Sequence, residues 1–144
     1  MKISVALAAY KGEKFIAEQM ESILCQLGEN DELIVSDDFP EGKTRGIVEA
    51  FALRDGRVRY LEGQGKGVIK NFENALAACS GDIIFLCDQD DVWMPDKVES
   101  VMKEFENGAQ LVLQHPRCKS FIRQELCEEH LCRLLYGVHK GASR

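Results

Sequence analysis

No uninterrupted apolar run in this 144-residue chain approaches the ~20 residues that a helix needs to cross a bilayer. The opening Met1-Lys2-Ile3-Ser4-Val5-Ala6-Leu7 is too brief for a signal peptide and has no cleavage region. Positive charge is scarce as well. Eighteen Lys and Arg stand against 24 Asp and Glu, a net charge of -6 with a pI near 5.1. That balance argues against a protein built to wrap nucleic acid or to cling to anionic lipid. The six cysteines lack the spacing of a small secreted scaffold, so reduced thiols are expected. Together these absences describe a soluble, cytoplasmic protein with no nucleic-acid partner. Its length and its 45% hydrophobic content suit one domain with a real core.

The apolar residues that are present change period along the chain. Ile3 to Ala8 reads as a buried strand closed by Tyr10-Lys11-Gly12, after which Phe15, Ile16, Met20, Ile23, Leu24 and Leu27 recur at helical spacing. Leu33-Ile34-Val35 is a second strand, and Thr44 to Leu53 a short helix with Ile47, Val48 and Phe51 inward. Val58 to Leu61 is a third strand, followed by Gly63-Gln64-Gly65-Lys66-Gly67 and by a helix whose inward face is Ile69, Phe72, Leu76 and Ala77. Ile83 to Cys87 is a fourth strand. Pro95 suits the first turn of another helix, with Val98, Val101, Met102 and Phe105 on one face, and Leu111-Val112-Leu113 makes a fifth strand. Strands alternating with helices predict an α/β fold with a mostly parallel sheet covered on both faces.

The chemistry gathers at strand ends. The fourth strand runs into Asp88-Gln89-Asp90-Asp91-Val92-Trp93, and the second into Ser36-Asp37-Asp38. Carboxylates this close repel one another, so a site that keeps them ionised supplies a divalent cation or strong donors; the plainer reading is a solvated acidic loop. In a parallel sheet these ends and the Ala9-Tyr10-Lys11-Gly12 turn share one edge, where loops and helix N-termini form ligand crevices. Tyr10 could instead merely seal the sheet edge, Asp37 and Asp38 could begin a turn, and Lys66 and Lys70 could be solvated. Asn71 reads as an exposed helical polar residue, and Trp93 as a core plug beneath the acidic loop.

Ser4-Val5-Ala6-Leu7-Ala8-Ala9-Tyr10-Lys11-Gly12, then Ser36-Asp37-Asp38, then Cys87-Asp88-Gln89-Asp90-Asp91-Val92-Trp93 resembles a family 2 glycosyltransferase of the GT-A (Rossmann-like) fold, and in particular its bacterial rhamnosyltransferase-like members. The resemblance runs from residue 3 to about 115. It implies transfer of a sugar from a nucleotide-diphosphate donor to a saccharide or lipid-linked saccharide acceptor, with Mg²⁺ or Mn²⁺ as cofactor. It also implies a role in surface polysaccharide synthesis, in the cytoplasm or at the inner face of the membrane. Carried over by residue, Ala8, Ala9, Tyr10 and Gly12 border the nucleotide with Glu13 nearby, and Asp37, beside Asp38, accepts from the pyrimidine base. Lys70, Asn71 and Gln89 join the donor site, and Asp88 and Asp90 hold the metal, while Asp91 either assists or caps the next helix. A divalent ion on hard oxygen ligands neutralises the charge that develops on the departing diphosphate.

Two departures stand out. After Asp37-Asp38 the family usually continues with Gly, Ser and another Asp, whereas this chain reads Phe39-Pro40-Glu41-Gly42-Lys43-Thr44; Lys11 also stands where Asn is common. Beyond His115 the sequence changes character at Pro116-Arg117-Cys118-Lys119-Ser120, where the family continues into the acceptor half and its carboxylate base. The reading is therefore a donor-binding half at 1–115, incomplete at its C-terminus, with an atypical tail at 116–144 left by a changed frame or a shortened gene. That tail reads as a short amphipathic helix through Leu126, Leu131, Leu134 and Leu135, or as disorder; a zinc site at Cys118, Cys127, His130 and Cys132 is the competing idea. A sheet edge left open by the missing half favours a homodimer. A non-catalytic nucleotide-sugar binder and a Mg²⁺-dependent phosphoryl-transfer domain complete the alternatives.

Overall fold

The computed structural model describes residues 1–110, 112–114 and 121–123. They fall into two compact units, Met1–Pro95 and a second from Asp96 onward. The first unit alternates β1 (Ile3–Ala9), α1 (Ile16–Leu24), β2 (Glu32–Asp37), α2 (Thr44–Arg54), β3 (Val58–Glu62), α3 (Val68–Ala78) and β4 (Ile83–Asp88). Its four strands form one sheet in the order β3-β2-β1-β4, every pair parallel. Each crossover is a helix, as parallel neighbours require.

Burial follows position in that sheet. The central strands β1 and β2 are buried at every residue, which is why they read as unbroken apolar runs rather than as alternation. The edge strand β4 alternates: Ile83, Phe85 and Cys87 are inside, while Ile84 and Leu86 are partly open to solvent. On one face Ala75 of α3 packs against Ala6 and Ile34. On the other, Gln19 of α1 donates to the Cys87 sulfur, and Cys87 is the register neighbour of Leu7. Helices thus cover both faces, and Cys25, Cys79 and Cys87 form no disulfide.

The helical face of α3 differs from the one its apolar periodicity suggests. Asn71 and Ala75 are buried, whereas Ile69 and Ala77 are exposed. The cause is tertiary: the Asn71 side chain donates to the Ala9 carbonyl at 2.9 Å, and that bond turns the helix so a small residue meets the sheet. At the opposite pole, where β2 begins, Glu32 accepts from the Ser4 hydroxyl at 2.6 Å and from the Ser80 N–H and hydroxyl at 2.6 and 2.9 Å.

The second unit contains α4 (Lys97–Glu106), with Val98 and Val101 buried, and β5 (Val112–Gln114) paired antiparallel with β6 (Phe121–Arg123). The expected fifth strand therefore exists, one residue later than expected, but belongs to its own two-stranded sheet. β5 and β6 are close in sequence, which suits antiparallel pairing, whereas a parallel neighbour demands a long crossover. Pro95 precedes α4 rather than entering its first turn, and Asp96, not Asp91, occupies the N-cap position. The tail leucines and the Cys118, Cys127, His130 and Cys132 group lie outside the described residues. Among the described residues no helix is long and apolar enough to cross a membrane.

Candidate functional site

Strand register brings the polar strand ends together. Ala8 lies beside Asp88 on one side and Ser36 on the other, and Ala9 lies beside Asp37, which in turn lies beside Glu62. Above these ends opens a cleft of about 610 Å³ lined by Ala8, Ala9, Tyr10, Asp38, Gly65, Gly67, Val68, Asn71, Asp88, Gln89 and Asp90. All of them belong to the first unit.

The floor is tied to the end of β1. The Ala9 carbonyl accepts from the Asp38 N–H and from the Asn71 amide, both at 2.9 Å. Asn71 is 2% exposed rather than the surface residue that its place in the sequence suggested, and its Oδ1 has no partner among the described residues. Asp38 shapes the wall: its two carboxylate oxygens accept from the N–H groups of Gly65 and Gly67, each at 2.8 Å. Gly65 and Gly67 have φ of 64° and 91°, a conformation glycine adopts freely, and this lets both N–H groups turn towards one carboxylate.

Tyr10 is 54% exposed at the rim, edge-on to the Phe39 ring at 5.9 Å. Lys11 sits above both rings, its Nζ 5.2 Å from the Tyr10 centroid and 4.8 Å from that of Phe39. This cation-π contact brings together Lys11 and Phe39, and Lys11 has φ 50°. Gly12 is buried, and its N–H donates to the Thr44 hydroxyl at 2.9 Å, joining the turn after β1 to the start of α2.

The carboxylates divide by environment. Asp37 is fully buried and does not line the cleft; its oxygens accept from the Phe39 N–H at 3.1 Å and the Tyr60 hydroxyl at 3.2 Å. Burial raises its pKa despite those two bonds, and the charges of Asp38 and Glu41 add to the rise. Asp88 faces the cleft, where partial desolvation and then repulsion from Asp91 and Asp90 raise its pKa. No Lys or Arg among the described residues pairs with Asp88 or Asp90. Trp93 is the plug expected of it, 5% exposed and packed on Phe85 at 5.4 Å.

Of the residues singled out in the sequence, Ala8, Ala9, Tyr10, Asp38, Asn71, Asp88, Gln89 and Asp90 line the cleft. Gly12 is buried and Glu13 exposed, neither of them lining the cleft, and Lys70 pairs with Glu73 on the surface of α3. Gly65, Gly67 and Val68 are additional lining residues. The glycine-rich stretch was the signal for them, through its backbone rather than its lysines.

The donor set suits a hard divalent cation in one specific way. Among the described residues no three His, Cys, Asp or Glu side chains gather as a complete metal cage. Two cleft carboxylates without a counter-charge fit Mg²⁺ or Mn²⁺, ions that commonly take one or two protein carboxylates and complete their shell with water and substrate phosphates.

Known proteins show the same fold. The chain is 31% identical over 113 residues to the glycosyltransferase GlyG of Streptococcus pneumoniae serotype 4, covering 77% of this chain and 38% of that protein. It is 34% identical over 98 residues to the Escherichia coli UDP-Glc:alpha-D-GlcNAc-diphosphoundecaprenol beta-1,3-glucosyltransferase WfgD, again covering 38% of that protein. It therefore spans well under half the length of these relatives. Among solved structures, TarS of S. aureus in complex with UDP-GlcNAc superposes with a TM-score of 0.66 at 24% identity, covering 74% of this chain and 32% of that one. The mannosyltransferase PcManGT of Pyrobaculum calidifontis, in complex with GDP-Man and Mn²⁺, gives 0.70 at 20% identity, covering 81% and 36%. The model of glycosyl transferase family 2 matches residues 4–125, most of the chain, and the protein belongs to that family.

Proposed function

We propose that residues 1–115 form the nucleotide-sugar-binding half of a glycosyltransferase that moves a sugar from a nucleoside-diphosphate donor to a saccharide or lipid-linked saccharide hydroxyl in cell-surface polysaccharide synthesis. The observation that carries this reading is the cleft itself, in which two unpaired carboxylates, an exposed aromatic rim and a glycine-walled side meet at the ends of parallel strands. The likeness to TarS and PcManGT, whose structures hold UDP-GlcNAc and GDP-Man, supports it through the shared fold.

In this reading the half-exposed Tyr10 ring borders the base, and the bare Ala8-Ala9 backbone lets the nucleotide approach the sheet closely. Asp37 shapes the floor, since its oxygens are already bonded to Phe39 and Tyr60. Asp88 and Asp90 hold Mg²⁺ or Mn²⁺, which when bound offsets the charge that accumulates on the diphosphate leaving group. Tyr10 and Val68 offer apolar surface at the rim against which the donor can lie.

Isothermal titration of the whole chain with UDP and with dTDP, each with and without Mn²⁺, tests this. We expect heat that depends on Mn²⁺ and disappears in the double variant Asp88→Asn, Asp90→Asn. Silence with both nucleotides and with GDP, metal present, overturns the reading.

A further inference from the structure

The β1–β4 ladder stops at the pair Ala8 and Asp88. Beyond that pair a side chain takes over from the backbone. The Tyr10 N–H donates to Gln89 Oε1 at 2.8 Å, and Gln89 Nε2 donates to the Tyr10 carbonyl at 2.9 Å. A primary amide carries a donor and an acceptor in one plane, so it can pair with a peptide group as a neighbouring strand would. Because the side chain satisfies Tyr10, the main chain at Gln89 and Asp90 is released into a turn. That turn leaves Asp88 and Asp90 both on the cleft.

Gly12 keeps room for this arrangement. A Cβ at that position would lie 2.3 Å from Gln89 Oε1 and 3.0 Å from its Cδ, so any larger residue would push the amide off Tyr10. The far end of the segment is fixed separately, by the Trp93 N–H donating to the Ser22 hydroxyl at 3.0 Å and by the Trp93 ring on Phe85. Between these anchors the carboxylates of Asp88, Asp90 and Asp91 accept no hydrogen bond from any described residue. Their spacing is therefore set by the anchors and not by contacts of their own.

We infer that Gln89 is a positioning residue: its paired bonds to Tyr10 hold the turn that sets the geometry of Asp88 and Asp90. The cation and diphosphate that this geometry serves rest on the proposed function; the latch itself does not. Gln89 lines the cleft, but both ends of its amide are engaged with Tyr10, so it acts through the carboxylates on either side of it.

The test is Gln89→Met on the whole chain, which keeps length and volume and removes both bonds. Two readouts are needed. In amide hydrogen exchange, Tyr10 and residues 88–91 should exchange about tenfold faster, a lost pair of hydrogen bonds being of that order, while Val5–Leu7 and Leu33–Val35 stay unchanged. In electron paramagnetic resonance of free Mn²⁺ with UDP present, affinity should fall about tenfold although the thermal midpoint moves little, a split that mere support of the fold would not produce. If Gln89→Met does not fold, Gly12→Ala, whose Cβ would lie 2.3 Å from Gln89 Oε1, displaces the same amide without changing charge, and the same two effects are expected. Unchanged exchange at Tyr10, or unchanged Mn²⁺ affinity, overturns the inference. A wild-type chain that binds no Mn²⁺ with UDP, yet shows the exchange effect, supports the latch and overturns the donor reading instead.

Discussion

Replacing Glu32 by Gln should make the chain's stability respond differently to acid, by an amount that follows from the structure. Burial alone would raise the Glu32 pKa. It is outweighed by hydrogen bonds from the Ser4 hydroxyl, the Ser80 N–H and hydroxyl, and Lys2, leaving the value at about 2 against an ordinary 4.5. Lys2 Nζ stands 3.3 Å from the second carboxylate oxygen. A carboxyl lowered on folding binds its proton first in the unfolded chain. Its stabilisation is complete above the unfolded value and is lost as pH falls from about 5 towards 2. A difference of this size corresponds to ~3 kcal/mol at neutral pH. Asp37 and Asp88, whose pKa values are raised, work in the opposite direction, but they are common to both proteins and cancel in the difference. Urea unfolding of wild type and Glu32→Gln between pH 7 and pH 2.5 should therefore show a gap of ~2–4 kcal/mol at pH 7 that shrinks below ~1 kcal/mol at pH 2.5. A gap that stays constant across that range refutes the reasoning, because it would mean that Glu32 acts through packing and not through its charge.

Asp88→Asn should raise stability at neutral pH in metal-free solution. Its ionised form is disfavoured in the folded chain, so a neutral amide relieves desolvation and the repulsion of Asp91 and Asp90; solvent screening limits the gain to ~0.5 kcal/mol, read as a higher urea midpoint, and a lower midpoint would contradict it. Gly63→Ala should destabilise by ~1–3 kcal/mol, because its Cβ would lie 2.6 Å from Asp38 Oδ1 and 2.8 Å from Asp38 Cα, and a backbone atom cannot rotate away; an unaltered thermal midpoint would count against the packing described. Asp38→Asn should speed amide exchange at Gly65 and Gly67, one of which loses its acceptor and faces an NH₂ group, at a cost of ~1–3 kcal/mol. Exchange there at the wild-type rate would show that Asp38 does not hold the cleft wall.

The parts of this fold that were legible in the sequence are those governed by local pattern. Unbroken apolar runs at Ile3–Ala8 and Ile83–Cys87, each closed by polar residues, located the strands and put their ends on one edge, and the register now places Ala8, Asp88 and Ser36 side by side. The roles of polar residues were not legible, because their partners are remote in sequence. Asp38 bonds across 27 and 29 positions to Gly65 and Gly67, Gln89 across 79 to Tyr10, and Asn71 across 62 to Ala9. Nothing in the neighbourhood of Asn71 distinguishes a floor residue from a solvated one. The same holds for β5, whose antiparallel partner β6 lies in a stretch without strand-like periodicity.

Two carboxylates of the first unit distinguish the cleft pole from the opposite one. Glu32, at the start of β2, is 8% exposed and meets hydroxyls, an N–H and an ammonium, so nothing remains for a ligand to supply. Asp88, at the end of β4, meets only like charge. A chain selected for stability alone would treat both ends as it treats Glu32, since clustered carboxylates without a counter-charge repel one another, a cost that a neutral residue would avoid. The second pole also opens a hollow, lined by Arg54, Asp55, Arg57 and Glu32 among others, but Arg57 is bonded to Asp55 and to the Leu27 carbonyl, and Glu32 is satisfied. Like charge without a partner gathers instead at the end of β4, where the bonds of Gln89 and Trp93 flank the acidic turn. Holding like charges together with bonds that lie outside the charges themselves is the arrangement expected where a cation completes the set.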